Sequence, residues 1–229
     1  MKKLFFLIAI SAIALSSNAQ DTLNLMPHFR LAINGGYSRR IAKTSDQIPA
    51  QFKDYISELK NGYHLGAEAA YFFNNKWSVG LKYNLFKAAN SITGVTGTDV
   101  YGNARTGTIS DDMQINFIGV NTSSRHISKN GKHHFLLGIG LGYMGYTNDA
   151  FLFDKIKITG QTFGATLDGG YDFRLAKNLF IGTQLSFVGG TLNSLDYDFG
   201  SSKTTVKLEE NDRENLTRLD LSVGLRLNL

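Results

Sequence analysis

The 229-residue chain contains no cysteine. This excludes disulfides, thiolate-metal sites and thiol catalysis, and it excludes lipid attachment at a mature N-terminal cysteine. Proline is scarce as well. The two prolines, Pro27 and Pro49, lie outside every segment interpreted below as a strand, as expected because proline cannot donate to a sheet ladder. Together with 24 glycines, 16 phenylalanines and 10 tyrosines, this composition is typical of a β-sheet protein.

The chain also has little net charge. The formal value is +5, and it falls to +3 without Lys2 and Lys3 of the leader described next. Basic residues are scattered along the chain and are not grouped in a patch or stripe. This pattern indicates no nucleic-acid partner.

Long hydrophobic runs are rare, and the clearest one lies at the N-terminus. It extends from Leu4 to Leu15, after Lys2 and Lys3 and before the small or polar residues 16–19. This order is typical of a secretory signal peptide, and the run is shorter than the roughly 20 residues that a transmembrane helix needs. We expect cleavage after Ala19, with 1–19 as the signal peptide and 20–229 as one domain.

The rest of the chain is dominated by alternation of apolar with polar or small residues. Such a strand has one apolar and one polar face, and the apolar face needs a hydrophobic neighbour. In the fourth segment apolar residues occupy both phases, which we interpret as a β-bulge near Phe117. The alternation predicts eight strands, at Phe29–Arg40, Tyr63–Phe73, Trp77–Lys87, Asp112–Arg125, His133–Tyr146, Thr159–Phe173, Leu179–Gly190 and Arg218–Asn228.

The connections between these strands alternate in length. They are long at 41–61, 88–111, 147–158 and 191–212, and short at 74–76, 126–132 and 174–178. The predicted fold class is all-β, an eight-stranded antiparallel up-and-down transmembrane β-barrel, with short turns and both chain ends in the periplasm. A soluble lipocalin-like calyx is the alternative, but its interior would be apolar, whereas the inward positions here hold charges, amides and glycines.

With its leader, eight strands, alternating connections and terminal Leu229, the whole mature chain resembles the small OmpA/OmpX-type outer-membrane barrels. The resemblance is architectural, without a short specific motif, and it departs at Leu229, where the family often has an aromatic residue. It implies that periplasmic chaperones and the barrel-assembly machinery recognise the last strand. The matching positions form a C-terminal assembly signal at Leu221, Val223, Leu225, Leu227 and Leu229.

Eight strands enclose a space that side chains can fill, so inward charges of both signs are expected to pair. A gated ion or proton path through the same groups is the alternative, although it would need aligned charges of one sign. Inward glycines, among them Gly138, Gly140, Gly142 and Gly182, are expected to leave room inside. The predicted lumen charge network comprises Arg30, Glu68, Lys82, Asp168, Asp172, Arg218, Asp220 and Arg226.

Aromatic residues near the ends of the predicted strands are expected at the membrane–water interfaces, where amphipathic rings are favoured. The one tryptophan of the chain follows a short turn and fits this position. The predicted interface aromatics are Tyr37, Tyr71, Phe73, Trp77, Tyr171 and Phe173.

No catalytic, metal or cofactor site is expected. His126 and Ser128 form a His-x-Ser pair like that of lipid A deacylase barrels, but they lie at a short turn and glycines stand where an acidic partner is needed. His133 and His134 are adjacent in a strand, so they should face opposite sides. His28 and His64 offer no cluster of the kind that omptin-like proteases require at the outer rim.

Function is therefore expected in the long connections. Apolar residues between Phe52 and Leu59 are spaced by three and four, which predicts a short amphipathic helix over the rim, either a lid or a packed loop. The 88–111 segment suits a protruding hairpin, and acidic residues in 191–212 suit cation-bridged contact with lipopolysaccharide. We expect a monomeric, non-enzymatic barrel with structural, adhesion or surface-interaction roles; a narrow transporter or receptor for a small or hydrophobic molecule is the alternative.

Overall fold

The computed structural model describes residues 28–42, 49–98 and 102–229, and in them the chain forms a closed antiparallel β-barrel of eight strands. Neighbouring strands in sequence pair with one another, and the first strand pairs with the last to close the cylinder. The predicted signal peptide lies outside the described residues. Among the helices that are described, none is long and apolar enough to cross a membrane.

The barrel strands alternate up and down along the chain. The elements are β1 (Phe29–Arg40), α1 (Ala50–Leu59), β2 (Asn61–Phe72), β3 (Trp77–Thr98), β4 (Ala104–Ile127), β5 (His133–Leu152), β6 (Asp154–Arg174), β7 (Leu179–Leu192), β8 (Ser194–Asp198), β9 (Lys203–Lys207), a 3₁₀ turn (Glu210–Asp212), β10 (Glu214–Asn215) and β11 (Arg218–Asn228). Strands β1–β7 and β11 form the closed barrel, and β8, β9 and β10 extend it at one end. The predicted eight-strand fold is confirmed.

Two of the predicted long connections are continued strands. The 88–111 segment forms the upper part of the β3–β4 hairpin, as predicted, although its Val100 and Tyr101 lie outside the described residues. The 147–158 segment was expected to be a loop, and this is wrong: β5 and β6 stay paired up to Leu152 and Asp154, with the turn at Phe153. Phe153 has φ 63°, a left-handed conformation that is unusual for a phenylalanine.

The bulge predicted near Phe117 is also wrong. The register of β4 runs without interruption past Phe117, which is opposite Asn84 on one side and Met144 on the other. Apolar residues occupy both phases because both faces are apolar here: Phe117 is buried in the lumen, while Ile118 is 59% exposed on the outer surface. The register shift of this hairpin lies instead between Ile92 and Val95, where Gly94 has a positive φ.

The predicted helix between Phe52 and Leu59 is confirmed as α1. It packs against β2 and β3 at the end of the barrel away from the chain termini. Tyr55 and Leu59 are buried beneath it, while the intervening polar residues face outward. The helix therefore covers part of the barrel opening.

The outer surface of the barrel is a continuous apolar band. Every barrel strand contributes exposed Leu, Ile, Val or aromatic side chains at alternate positions, and the residues between them face the lumen. An exposed apolar surface of this extent is far larger than the patches found on soluble monomers. The barrel therefore exposes apolar side chains on its outside and buries charged side chains inside, an inverted arrangement relative to a soluble protein.

Barrel closure requires glycine where β1 and β11 approach. A Cβ added at Gly224 would lie 1.9 Å from the Ile33 carbonyl oxygen. At Gly145, in β5, the nearest atom to an added Cβ is 3.8 Å away, which is ordinary van der Waals contact. There is therefore no room for a side chain at position 224, whereas a methyl group fits at position 145.

We expect Gly224→Ala to destabilise the barrel by about 1–3 kcal/mol, because β1 and β11 must separate to admit the methyl group. Gly145→Ala is the matched control and should leave stability unchanged. Urea unfolding in detergent micelles measures the difference. Equal unfolding midpoints for the two variants would contradict the close approach as the reason for Gly224.

Candidate functional site: the lumen and the two ends of the barrel

The two ends of the barrel differ in structure. The terminal end is defined by Phe29 and Leu229, whose backbones pair, and by the three short turns. The loop end is defined by α1, the tips of the β3–β4 and β5–β6 hairpins, and β8–β10. Because side chains alternate along each strand, every second residue between these ends faces the lumen.

Near the terminal end, two arginines and two carboxylates form one group. Arg30 bonds to Glu68 and Asp172, each at 3.0 Å, and Arg226 Nε lies 3.0 Å from the other oxygen of Asp172. The Asp172 carboxylate thus bridges two guanidiniums. Gly182 makes this geometry possible, because a Cβ there would lie 2.1 Å from Asp172.

A second group lies midway along the lumen around Asp168. Its carboxylate accepts from the Lys82 ammonium and from the Ser186 hydroxyl, each at 2.5 Å, and from the Gln184 amide at 3.2 Å. All of these side chains are buried or nearly so. Several donors on one carboxylate offset the cost of burying the ion pair.

A third group lies closer to the loop end around Asp220. Arg218 Nε lies 3.2 Å from the Asp220 carboxylate, and the Asn84 amide donates to the other oxygen at 3.1 Å. The Asn84 carbonyl in turn accepts from Arg218 at 2.9 Å, and Ser38 donates to Asp220. His64 Nδ1 lies 4.0 Å from the Asp220 carboxylate, and the two form an ion pair only when the imidazole is protonated.

The structure thus places all eight residues of the predicted network inside the lumen, in three groups. Inward cations that sequence reasoning missed are Arg40 and Arg125. Arg40 bonds to Glu214 and the Asn215 carbonyl, and Arg125 stacks on Phe72. Each is the last residue of a predicted strand, Phe29–Arg40 or Asp112–Arg125.

A large part of the loop-end half of the lumen is filled by apolar side chains, which was not expected. Its buried cluster includes Phe86, Ile115, Phe117 and Leu216. Met144 belongs to it as well, with its sulfur resting on the backbone of two strands: an added Cβ would lie 2.2 Å from that sulfur at Gly164 and 2.5 Å at Gly190. The signal was present in the sequence, because Ile115 and Phe117 occupy the inward phase.

The inward glycines do not leave a free space. An added Cβ at Gly140 would lie 2.7 Å from the Thr166 hydroxyl, and at Gly142 it would lie 2.3 Å from the Ile118 carbonyl oxygen. At Gly138 the Ser123 and Asp168 side chains are already in contact distance. The expected room near these glycines is occupied by adjacent strands and by the polar groups of the lumen.

The six predicted interface aromatics lie on the outer surface. Tyr37 is near the loop end, and Tyr71, Phe73, Trp77, Tyr171 and Phe173 are near the terminal end. Sequence reasoning missed further tyrosines near the loop end, where the phenol tips bond to amides: Tyr83 to Asn116 at 2.8 Å and Tyr143 to Gln161 at 2.5 Å. Each is the last outward aromatic of its predicted strand, Trp77–Lys87 or His133–Tyr146, and this position was the available signal.

The five residues of the predicted assembly signal lie along one side of β11. Leu221, Val223 and Leu225 are exposed on the outer surface, and Leu227 and Leu229 are half-buried. The β11 strand pairs with β1 and β7, so this row faces outward between two other strands.

The histidine and serine candidates take part in turns and packing. The Ser128 hydroxyl donates to Asn130 at 2.7 Å and accepts from the His133 backbone, so it stabilises the turn. His133 faces out and bonds to Tyr171, while His134 faces in against Phe180, on opposite sides as predicted. Within the described ranges, no group of three metal-ligating side chains is found.

At the loop end, α1 is held down by polar contacts. The Tyr55 hydroxyl donates to Asp111, which also accepts from the Asn148 amide at 2.5 Å. Burial, followed by this hydrogen bond, raises the pKa of the Tyr55 hydroxyl above its ordinary value. Tyr55 is therefore a neutral donor at physiological pH.

Elsewhere at the loop end, the sheet continues outward as β6–β8–β9. A groove of about 450 Å³ lies between the β5–β6 tip and the β8–β9 tip. Phe151 and Phe199 supply its apolar part, and Lys155 and Lys157 its cations. The Lys203 ammonium bonds to Asp198 at 2.9 Å and lowers the pKa of that carboxyl.

No protein-family model matches the chain, and no curated protein matches it. Among solved structures, it is similar to a major outer membrane protein from Thermus thermophilus, with a TM-score of 0.56 and 11% identity over 88% of this chain and 98% of that one. It is similar to Neisserial surface protein A, with a TM-score of 0.51 and 13% identity over 88% and 97%. Outer membrane protease OmpT from Escherichia coli gives a TM-score of 0.49 and 8% identity over 91% and 99%, which supports no inference. At 11% and 13% identity, the first two likenesses concern the fold alone.

We expect Asp172→Asn to destabilise the barrel by about 3–5 kcal/mol, because it leaves Arg30 and Arg226 buried with less compensating charge. Asp149→Asn is the matched control: its partner Lys157 is 3.9 Å away on the exposed hairpin, so the change should stay within about 0.5 kcal/mol. Urea unfolding of both variants checks this. A barrel unaffected by Asp172→Asn would show that the bridging carboxylate is dispensable.

Proposed function

We propose that the protein is an integral barrel of a bacterial outer membrane that serves a non-enzymatic structural, adhesion or surface-interaction role through the hairpins at its loop end. The observation that carries this proposal is the inverted barrel. Its outer surface is apolar all round, whereas ion pairs such as Lys82–Asp168 are buried inside. A lipid bilayer is the environment in which an apolar outer surface and a charged interior are both favourable.

The proposed orientation places both chain ends in the periplasm. The three connections at the terminal end are short turns, and the loop end carries α1 and long hairpins. Outer-membrane barrels keep short turns in the periplasm and long loops outside. The leader predicted at 1–19 supports the same export route.

The surface role rests on how far the hairpins extend beyond the apolar band. A membrane-spanning strand needs about 9–11 residues, whereas β3 has 22 residues and β4 has 24. About half of that hairpin therefore stands outside a bilayer, beside the β5–β6 tip and the groove between Phe151 and Phe199. These elements are the part of the molecule that a partner meets first.

The lumen favours this role over transport. Three ion-pair groups occupy its terminal end, its middle and the region nearer the loop end, and the apolar cluster around Phe117 and Met144 fills much of the loop-end part. Charges of both signs are mixed along its length, whereas an ion path requires one sign. A narrow transporter or receptor for a hydrophobic molecule is the second candidate, because the apolar cluster lies at the end of the lumen that α1 partly covers.

The proposed partners follow from the surfaces. Outer-membrane lipid and lipopolysaccharide contact the apolar band and the loop-end lysines and carboxylates. Periplasmic chaperones and the barrel-assembly machinery recognise the β11 row from Leu221 to Leu229. The barrel is a monomer in this proposal, since its closed sheet leaves no barrel strand unpaired.

Orientation is tested by labelling intact cells with a membrane-impermeant amine reagent and locating the modified lysines by mass spectrometry. We expect modification at Lys155 and Lys203 at the loop end, because these side chains face the outside medium. Lys129 and Lys177, in turns at the terminal end, are the matched lysines that should react only after the cells are broken. Labelling of Lys129 and Lys177 in intact cells would reverse the orientation.

The surface role is tested with Phe151→Ser/Phe199→Ser in the groove, compared with Phe163→Ser on the outer surface of the barrel. We expect the groove variant to bind about fivefold less to immobilised matrix proteins, as for the loss of ~1 kcal/mol at an aromatic anchor, and the Phe163→Ser variant to bind as the wild type does. Both variants should keep the wild-type band shift on unboiled gels.

Conductance in planar bilayers separates the two candidate functions. The wild-type barrel should give no stable conductance steps if its lumen is filled as described. Stable steps, together with unchanged binding by the groove variant, would favour the transporter.

A further inference from the structure

The terminal end of the lumen contains a buried cation without a counter-charge. Arg125 is 2% exposed, and none of its three guanidinium nitrogens has a hydrogen-bond partner. No carboxylate in the described part of the chain forms an ion pair with it, since the nearby Asp172 is engaged by Arg30 and Arg226. One face of the guanidinium is covered by the Phe72 ring, at 3.7 Å from the centroid.

The charges around Arg125 do not balance. In the described residues of this region, the buried cations are Arg30, Arg125 and Arg226, and the buried carboxylates are Glu68 and Asp172. Arg125 lies within electrostatic range of both Arg30 and Asp172. An uncompensated charge in a region of low dielectric is costly. Stacking on Phe72 stabilises one face of the guanidinium but leaves the N–H donors at its edge unused.

Further buried donors without partners line the terminal end of the lumen. His134 is 3% exposed and follows Arg125 around the lumen on the neighbouring strand; neither of its ring nitrogens has a partner. Two guanidinium nitrogens of Arg226 and the amide of Asn228 are likewise buried without partners. These side chains come from β4, β5 and β11, so the donors point inward from three strands.

The surroundings of this region are cationic as well. The three turns at the terminal end, 74–76, 128–132 and 175–178, contain four lysines and no acidic residue: Lys76, Lys129, Lys132 and Lys177. Arg174 lies beside the same turns and stacks over Phe180. A low-dielectric opening lined by one sign of charge raises the local concentration of the opposite ion.

We propose that the terminal end of the lumen is a binding site for a small inorganic anion of chloride size. The anion accepts hydrogen bonds from the edge of the Arg125 guanidinium and from the ring N–H of the neighbouring His134. Its negative charge balances the third arginine, because Glu68 and Asp172 compensate only two of the three. The ligand must be small, because Arg125 and His134 are almost completely buried and the Phe72 and Phe180 rings occupy the space beside them.

A bound anion of this kind is a structural ligand of the folded barrel. It binds the folded state and not the unfolded chain, so the folding equilibrium constant must rise with its concentration. Above the dissociation constant, a tenfold increase in chloride raises that constant about tenfold when one anion binds. The site is independent of the surface role proposed above, because it lies at the opposite end of the barrel.

The test is urea unfolding of the refolded wild-type barrel in micelles, with chloride replaced by gluconate at constant ionic strength and pH. A log–log plot of the folding equilibrium constant against chloride concentration should have a slope near one. Arg125→Met keeps an unbranched side chain against Phe72 and should reduce the slope to zero. Lys129→Gln, which removes an exposed charge at the same end, is the matched control and should keep the wild-type slope.

Crystals grown in bromide give a second measurement, which does not depend on whether Arg125→Met folds. An anomalous peak within hydrogen-bond distance of the Arg125 guanidinium is expected. A zero slope for the wild type, or a slope that Arg125→Met retains, would overturn the proposal, and so would bromide peaks found only at surface lysines. A slope seen with phosphate and not with chloride would overturn the assignment to a chloride-sized anion.

Discussion

The pairing of β1 with β11 is the interaction on which the rest of the structure depends. It extends over the whole length of both strands, from Arg30 opposite Asn228 to Arg40 opposite Arg218. Once it forms, no barrel strand has a free edge, and the side chains are divided into an outer and an inner set. The inner set has no route to bulk water along the sheet, so its charges must find partners in the lumen.

The lumen meets this requirement in two different ways along its axis. Toward the terminal end, polar groups are satisfied by shared carboxylates, each of which serves several donors, as Asp168 and Asp172 do. Toward the loop end, much of the lumen is filled by side chains such as Phe86, Phe117 and Met144, which need no hydrogen-bond partners, and the buried Arg40 and Arg218 there pair with Glu214 and Asp220. Helix α1 lies over the rim at this end, where Tyr55 donates to Asp111 and the Asn90 amide donates to the Tyr55 carbonyl.

Much of this architecture was predictable from alternation alone, because a closed barrel gives each strand two faces with opposite surroundings. The limits of β1 and the orientation of Arg30 and Lys82 follow from that pattern, whereas helix α1 follows from the spacing of its apolar residues by three and four. Prediction failed where the two faces are alike: Ile115 to Ile118 have apolar surroundings on both sides, so their pattern imitates a bulge. It also failed for Arg125, because no local pattern shows which long side chain reaches which carboxylate across the lumen.

The packing of Met144 against Gly164 and Gly190 affects the order in which these three positions can be substituted. Its sulfur occupies the positions that side chains at Gly164 and Gly190 would take, on two strands that are paired with each other. In a lineage of this protein, we expect a larger residue at Gly190 to follow a change to a smaller residue at position 144. Gly164 is more constrained, because an added Cβ there would also lie 2.8 Å from the Gly189 carbonyl oxygen. Substitutions at these positions are therefore coupled, although the three residues lie on three different strands.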